Sequence, residues 1–279
     1  MKLNTFVLDN RYQDATLTTF LHDDSYCPNN PPRPAMIVCP GGGYHALTPK
    51  EGEPIALYYF NAGMNVFLLR YSICGNAASY APLIESALTV KHIRENAQAY
   101  NVDPHKVLIC GFSAGGHLAG SCGILWNAEP VRKALGDAPE GIGRPDGVIM
   151  SYAVVTGMEH RHKNSFRYLT GKDEPTDEER LPFSLEHHVD STTPPIFLWH
   201  TCNDAIVPIM NAVLLQEALC RNGIPFEAHV FPKGPHGLAL ANADCSNGDP
   251  KKDDPHVASW AKLSLEWANH IFAERANKE

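Results

Sequence analysis

The segment Gly111-Phe112-Ser113-Ala114-Gly115 sets a serine at the centre of a G-x-S-x-G pentad. An apolar run precedes it and a run of small residues follows, so the serine is expected on a tight strand-to-helix turn. Glycines on both sides let the backbone close up, and the strained turn pushes the hydroxyl outward. The helix that follows aims its positive end at the same point, which favours a developing oxyanion. A serine hydroxyl is a poor nucleophile at neutral pH and needs a base. Of 14 histidines, His236 follows the apolar run 226–231 directly, in Pro232-Lys233-Gly234-Pro235-His236-Gly237. Turn residues on both sides hold its ring out of the core. His200 and His229 sit inside strand patterns, where a packed or hydrogen-bonded ring is expected. His256 and His270 fall at the start and on the body of the last helix.

The base needs an acid to fix its tautomer. Asp204 lies in Cys202-Asn203-Asp204, at the end of the strand-like run Phe197–Thr201. Its competing role is to cap the helix that starts near Pro208. Asp190 and Asp249 are weaker candidates, because neither directly follows a buried strand. An oxyanion hole needs converging backbone N–H groups. Ala114 would supply one, and Gly42 and Gly43, within Gly41-Gly42-Gly43, the others. Tyr44 and His45 come next and are candidates to line an acyl or alcohol pocket, with surface packing as the alternative.

These residues need a scaffold, and the chain alternates short β-type runs with helical patterns, the mark of βαβ crossovers. Strands are expected at Ala35–Cys39, Asn65–Tyr71, Lys106–Gly111, Asp146–Tyr152, Pro195–Thr201 and Phe226–Phe231. Thr5–Leu8 and Ala15–Leu21 are expected to form an antiparallel edge. Helices are expected over 82–100, 114–126, 208–221 and 257–272. Another is expected from Thr48 to Ala62, with Thr48 as N-cap, Pro49 first and Glu51 closing a capping box. Pro28, Pro31, Pro32 and Pro34 read as a loop. Residues 153–194 break the alternation, are polar, and carry a second capping box at Thr176-Asp177-Glu178-Glu179. They are expected as a cap-like insertion over the carboxyl ends of the strands, within one domain spanning 1–279.

Composition removes other classes. The net charge of −8 argues against nucleic acid or an anionic membrane as partner. No apolar run approaches the roughly 18 residues of a membrane span. No secretory signal is visible at the start, so a cytoplasmic location is expected. The eight cysteines include no CxxC pair and read as reduced thiols, with Cys39, Cys110 and Cys202 as small hydrophobes. His160-Arg161-His162 and His187-His188 lack a matching Cys or carboxylate pattern, so no metal is expected. The glycine loop lacks the spacing of a dinucleotide fingerprint, and no cofactor is expected. A homo-oligomer is left open.

From Pro40-Gly41-Gly42-Gly43-Tyr44 through Gly111–Ala119 to Thr201-Cys202-Asn203-Asp204 and His236-Gly237, the chain resembles the α/β-hydrolase superfamily. The branch it resembles holds small acetyl xylan and feruloyl esterases and hormone-sensitive-lipase-like enzymes. Pro40 stands where the lipase-like loop opens with histidine, which favours the carbohydrate-esterase side. Asn203 stands where that branch often has a second acid. The resemblance implies a mostly parallel sheet flanked by helices, with Ser113, His236 and Asp204 acting in that order on an ester. The expected substrate is a short acyl ester, acetyl above all, of a sugar or soluble xylo-oligosaccharide. The rivals are a peptidase, an amidase or formamidase on the same scaffold, and a silent binding module.

Overall fold

The apolar runs pair into one sheet. The computed structural model describes residues 1–9, 11, 14–24 and 29–276. Among these, the strands are β1 (Lys2–Val7), β2 (Thr16–Leu21), β3 (Arg33–Cys39), β4 (Asn65–Arg70), β5 (Val102–Phe112), β6 (Gly147–Ser151), β7 (Ile196–Thr201) and β8 (Phe226–Phe231). Their order is β1-β2-β4-β3-β5-β6-β7-β8. β1 and β2 are antiparallel, as are β2 and β4, and the remaining pairs are parallel. The helices are α1 (Glu53–Asn61), α2 (Ala81–Glu95), α3 (Ala97–Tyr100), α4 (Ala114–Ile124), α5 (Glu129–Leu135), α6 (Lys163–Thr170), α7 (Asp177–Arg180), α8 (Met210–Arg221), α9 (Ala243–Ser246) and α10 (Pro255–Ala276).

Parallel strands bury both faces, and alternate residues feed opposite cores. In β5, Val107 and Ile109 join Val90 of α2, Leu118 of α4 and Leu215 of α8. Leu108 and Cys110 join Ile55 of α1 and Trp260 of α10 on the other face. Burying an aliphatic side chain of this size is worth about 1.5–3 kcal/mol, so this sheet is a stiff base for what its ends carry.

Several local expectations give way to tertiary contacts. Thr48 makes no side-chain cap hydrogen bond; Pro49–Glu51 is a single 3₁₀ turn, and α1 starts only at Glu53. The helix expected over 82–100 breaks at Asn96, whose side-chain amide donates to the His92 carbonyl. Pro34 lies inside β3, where a register shift between Arg33 and Ala35 accommodates its missing N–H. Cys27 and Pro28 lie outside the described residues. The described cysteines are free thiols; Cys39 and Cys110 are buried, but Cys202 is exposed on a loop. No helix among the described residues is long and apolar enough to cross a membrane.

Residues 153–194 run between β6 and β7 and carry α6 and α7. Phe166, Leu169, Phe183 and Leu185 from this stretch are buried in the core, so it packs rather than looping through solvent. The Thr176 capping box is formed in full.

Candidate active site

The carboxyl ends of the parallel strands gather the chemistry-bearing residues. The Gly41–Gly43 loop follows β3, Ser113 follows β5, Tyr152 follows β6, Asp204 follows β7 and His236 follows β8. Ser113 has φ 54°, a left-handed conformation that L-residues avoid. The turn is forced by packing. A Cβ at Gly111 would lie 1.9 Å from the Gly115 carbonyl oxygen, and one at Gly115 2.2 Å from that of Cys39. The spacing of the pentad is therefore steric. Backbone bonds fix the turn: Ser113 N–H donates to Ser151 O at 3.0 Å, and Val154 N–H to Ser113 O at 3.2 Å.

Ser113 Oγ lies 2.8 Å from His236 Nε2, and His236 Nδ1 lies 2.6 Å from Asp204 Oδ2. The carboxylate only accepts, so Nδ1 carries its proton and Nε2 is left to accept from the serine hydroxyl. Asp204 is buried, and burial pushes its carboxyl upward. Hydrogen bonds from His200, His236 and the Val207 N–H outweigh this and hold it far below the ordinary carboxylate range. Asp204 also accepts from the N–H groups of Ile206 and Val207 through Oδ1, both at 2.9 Å. It therefore serves the local turn and the imidazole together. Asp190 binds Thr192 and Asp249 binds Lys251, each within its own loop. His200 is buried inside β7 and donates to Val207 O at 2.9 Å. His229 pairs with Glu227.

The His236 loop is held from β7. Asn203 Oδ1 accepts from Gly234 N–H, and Thr201 Oγ1 donates to Gly234 O, both at 2.8 Å. Asn203 is thus a loop anchor where a second acid is absent. The second acid of this region is Glu51. Its Oε2 accepts from Gly41 N–H at 2.9 Å and its Oε1 from the Tyr152 hydroxyl at 2.7 Å. Burial pushes the Glu51 carboxyl up, while the bonds from Tyr152 and Gly41 oppose the shift. The Thr-x-x-Glu spacing directed it to a helix cap, and no local signal pointed to Tyr152.

The N–H groups of Gly42, Gly43 and Ala114 have no hydrogen-bond partner among the described residues. Gly42, at φ 133°, needs its glycine, since a Cβ would sit 2.1 Å from Ala46 O. Tyr44 differs from the expected pocket role. It is 1% exposed, and its hydroxyl donates to His117 Nδ1 at 2.8 Å. His117 Nε2 donates in turn to Phe183 O, and burial pushes this imidazole down to about 4, so it stays neutral. Tyr44 therefore packs beneath the glycine loop and ties it to the insertion. His45 is exposed and stacks on Tyr168 of α6, with ring centroids 6.0 Å apart. His162 closes the same mouth, its Cε1 3.3 Å from where a Gly43 Cβ would lie. Among the described residues no group of three or more His, Cys, Asp or Glu side chains is placed to hold a metal ion.

The arrangement can deliver a deprotonated serine oxygen to a carbonyl next to three free N–H donors. The family model BD-FAE matches residues 24–219. The chain is 41% identical over 235 residues to endo-1,4-beta-xylanase B of Butyrivibrio fibrisolvens, covering 83% of this chain and 36% of that protein. It is 28% identical over 221 residues to the acetylxylan esterase of Xylanibacter ruminicola, covering 77% of this chain and 43% of that protein. The chain thus spans less than half the length of either relative. The solved acetyl ester-xyloside bifunctional hydrolase of Caldicellulosiruptor lactoaceticus superposes with a TM-score of 0.77 at 34% identity, covering 92% of this chain and 88% of that one.

Proposed function

The chain belongs to the BD-FAE family and has the α/β-hydrolase fold, and from that premise we propose that it is a serine carboxylesterase removing short acyl groups, acetyl above all, from sugars or xylo-oligosaccharides. The observation that carries this reading is the unbroken chain of hydrogen bonds from Ser113 through His236 to Asp204. Ser113 Oγ attacks the ester carbonyl carbon as its proton passes to His236 Nε2. The N–H groups of Gly42, Gly43 and Ala114 stabilise the oxyanion. The C–O bond to the alcohol breaks, and the alcohol leaves with the proton from His236. Water, deprotonated by the same nitrogen, then attacks the acyl-enzyme and releases the carboxylic acid and free Ser113. Asp204 keeps the imidazole in the right tautomer and stabilises the imidazolium. The protein residues suffice for these steps.

The mouth and the relatives support this reading of the substrate. A long acyl chain needs an apolar tunnel, because each buried methylene gains about 0.8 kcal/mol only against an apolar wall. Of the large apolar residues of 153–194, Phe166, Leu169, Phe183 and Leu185 are packed into the core, and Leu181 is exposed. The exposed His45 ring, stacked on the half-buried Tyr168, offers instead a flat ring face beside the oxyanion loop. The relatives named for xylan and acetyl ester-xyloside hydrolysis support a sugar alcohol. Residues 153–194 then act as the cap. The test is a p-nitrophenyl ester series from acetate to palmitate, followed by acetylated xylobiose. Highest kcat/KM at two to four carbons, with acetate released from the sugar, is expected. An optimum at eight carbons or more overturns the short-acyl claim, and acetate turnover without any acetylated-sugar activity overturns the carbohydrate claim.

A further inference from the structure

The turn Pro49–Glu51 reaches both flanks of the site. Glu51 is 3% exposed and uses both carboxylate oxygens, one on Gly41 N–H and one on the Tyr152 hydroxyl. The Tyr152 oxygen also accepts from Ala239 N–H at 3.0 Å, and the Tyr152 ring meets the His236 imidazole edge-on with centroids 5.0 Å apart. Lys50 Nζ donates to Gly237 O at 2.5 Å. Gly41 precedes the two glycines with free N–H groups; Gly237 and Ala239 follow His236. A Cβ at Gly41 would lie 2.6 Å from Glu51 Oε2, so the carboxylate fills the space that glycine leaves. The joined elements also carry backbone strain: Tyr44, Tyr152 and Ala239 have φ of 61°, 37° and 52°. Such conformations persist only where the surroundings over-determine them. A buried carboxylate is costly unless its oxygens are satisfied, and here one is satisfied by the oxyanion loop itself and the other by Tyr152, whose hydroxyl in turn holds the His236 loop at Ala239.

We propose that Glu51 is a positioning residue which, directly through Gly41 and through Tyr152 to Ala239, locks the oxyanion loop and the His236 loop into one mutual geometry. The inference rests on the esterase reading. It makes Glu51 a partner of the reaction that never touches substrate, and it separates Gly41, whose N–H is taken, from Gly42 and Gly43, whose N–H groups are free. Glutamine at this position keeps the size but turns one acceptor into a donor, so one arm is lost. Phenylalanine at 152 removes both the bond to Glu51 Oε1 and the bond from Ala239 N–H, and leaves the bond from Gly41 in place.

The experiment measures kcat and KM for p-nitrophenyl acetate in wild type, Ser113→Ala, Glu51→Gln, Tyr152→Phe and the double variant, with thermal melts to check folding. Glu51→Gln is expected to lower kcat by about 10²-fold with KM within about threefold, as displacement of reacting groups by an ångström does. Tyr152→Phe should lower kcat by about tenfold, and the double variant should be no worse than Glu51→Gln, since both act along one path. A folded Glu51→Gln with near-wild-type kcat, a loss confined to KM, or multiplying effects in the double variant overturns the proposal. Should Glu51→Gln not fold, Tyr152→Phe decides: a kcat loss at unchanged KM supports the proposal and wild-type kcat overturns it. A wild type without Ser113-dependent turnover overturns the esterase reading instead, and this inference with it.

Discussion

Two Thr-x-x-Glu segments in this chain end in opposite places. At Thr176 the capping box closes: Thr176 N–H donates to Glu179 Oε2 at 2.9 Å, and Glu179 N–H donates back to Thr176 Oγ1. Thr176 is exposed and Glu179 half-buried, both at the outer side of the insertion. At Thr48 the box stays open, and Glu51 turns inward to Gly41 and to a tyrosine far along the chain. The same local pattern thus yields a surface cap in one region and a buried brace of the candidate site in the other. The tertiary partner wins where two loops must be fixed, and the local partner wins where nothing else competes. More broadly, the bonds around Ser113 and His236 join distant parts of the chain, whereas the ion pairs Arg180–Asp177, Lys172–Glu179 and Arg167–Asp173 join near neighbours.

The contrast breaks first at Asp204. Asp204→Asn is expected to lower kcat by about 10⁴-fold, because the imidazole loses its tautomer, with the fold kept. Asp190→Asn and Asp249→Asn serve only their own loops and should change kcat little. A silent Asp204→Asn beside a crippled Asp190 or Asp249 variant, measured on the best ester, would assign the acid elsewhere.

The next effect is on stability. Glu85 of α2 is buried and accepts from the N–H and hydroxyl of Ser72. Burial raises its carboxyl from 4.5 to about 7, against the bonds from Ser72. The folded protein therefore holds a proton there that the unfolded chain has released, and stability falls as pH rises from about 4.5 to about 7. The full difference is roughly 3 kcal/mol. Glu85→Gln imitates the protonated form, so its melting temperature should lack this fall. Parallel melting curves for both proteins across pH 5–8 would remove Glu85 from the buried frame.

The smallest effect belongs to the exposed box. Thr176→Ala should cost about 1 kcal/mol or less in chemical denaturation and leave kcat for p-nitrophenyl acetate unchanged. A kcat loss as large as that expected for Glu51→Gln would erase the distinction between the two segments.

The same distinction explains what the sequence disclosed. Ser113 was legible because the pentad is a local steric demand, and His236 and Asp204 because each follows a strand pattern at a loop with few other candidates. Their chain order and loop positions also match the resemblance to α/β-hydrolases. Thr176 was legible for the same local reason. Glu51 was not, since its partners are set by the sheet and not by neighbours in the chain. Tyr44 follows the glycine loop as an exposed pocket residue would, yet its hydroxyl finds His117 beneath the loop. Asn96 and Pro34 were misplaced because one local hydrogen bond and one register shift decide them.

The central claim is that Ser113 is the nucleophile activated by His236 and Asp204. The direct measurement is intact-protein mass spectrometry of the rate of fluorophosphonate labelling, with the modified peptide mapped. The account predicts one label per chain, on Ser113, none in Ser113→Ala, and labelling slowed by orders of magnitude in His236→Ala and Asp204→Asn. A label on another residue, or wild-type labelling rates in the His236 and Asp204 variants, would contradict it.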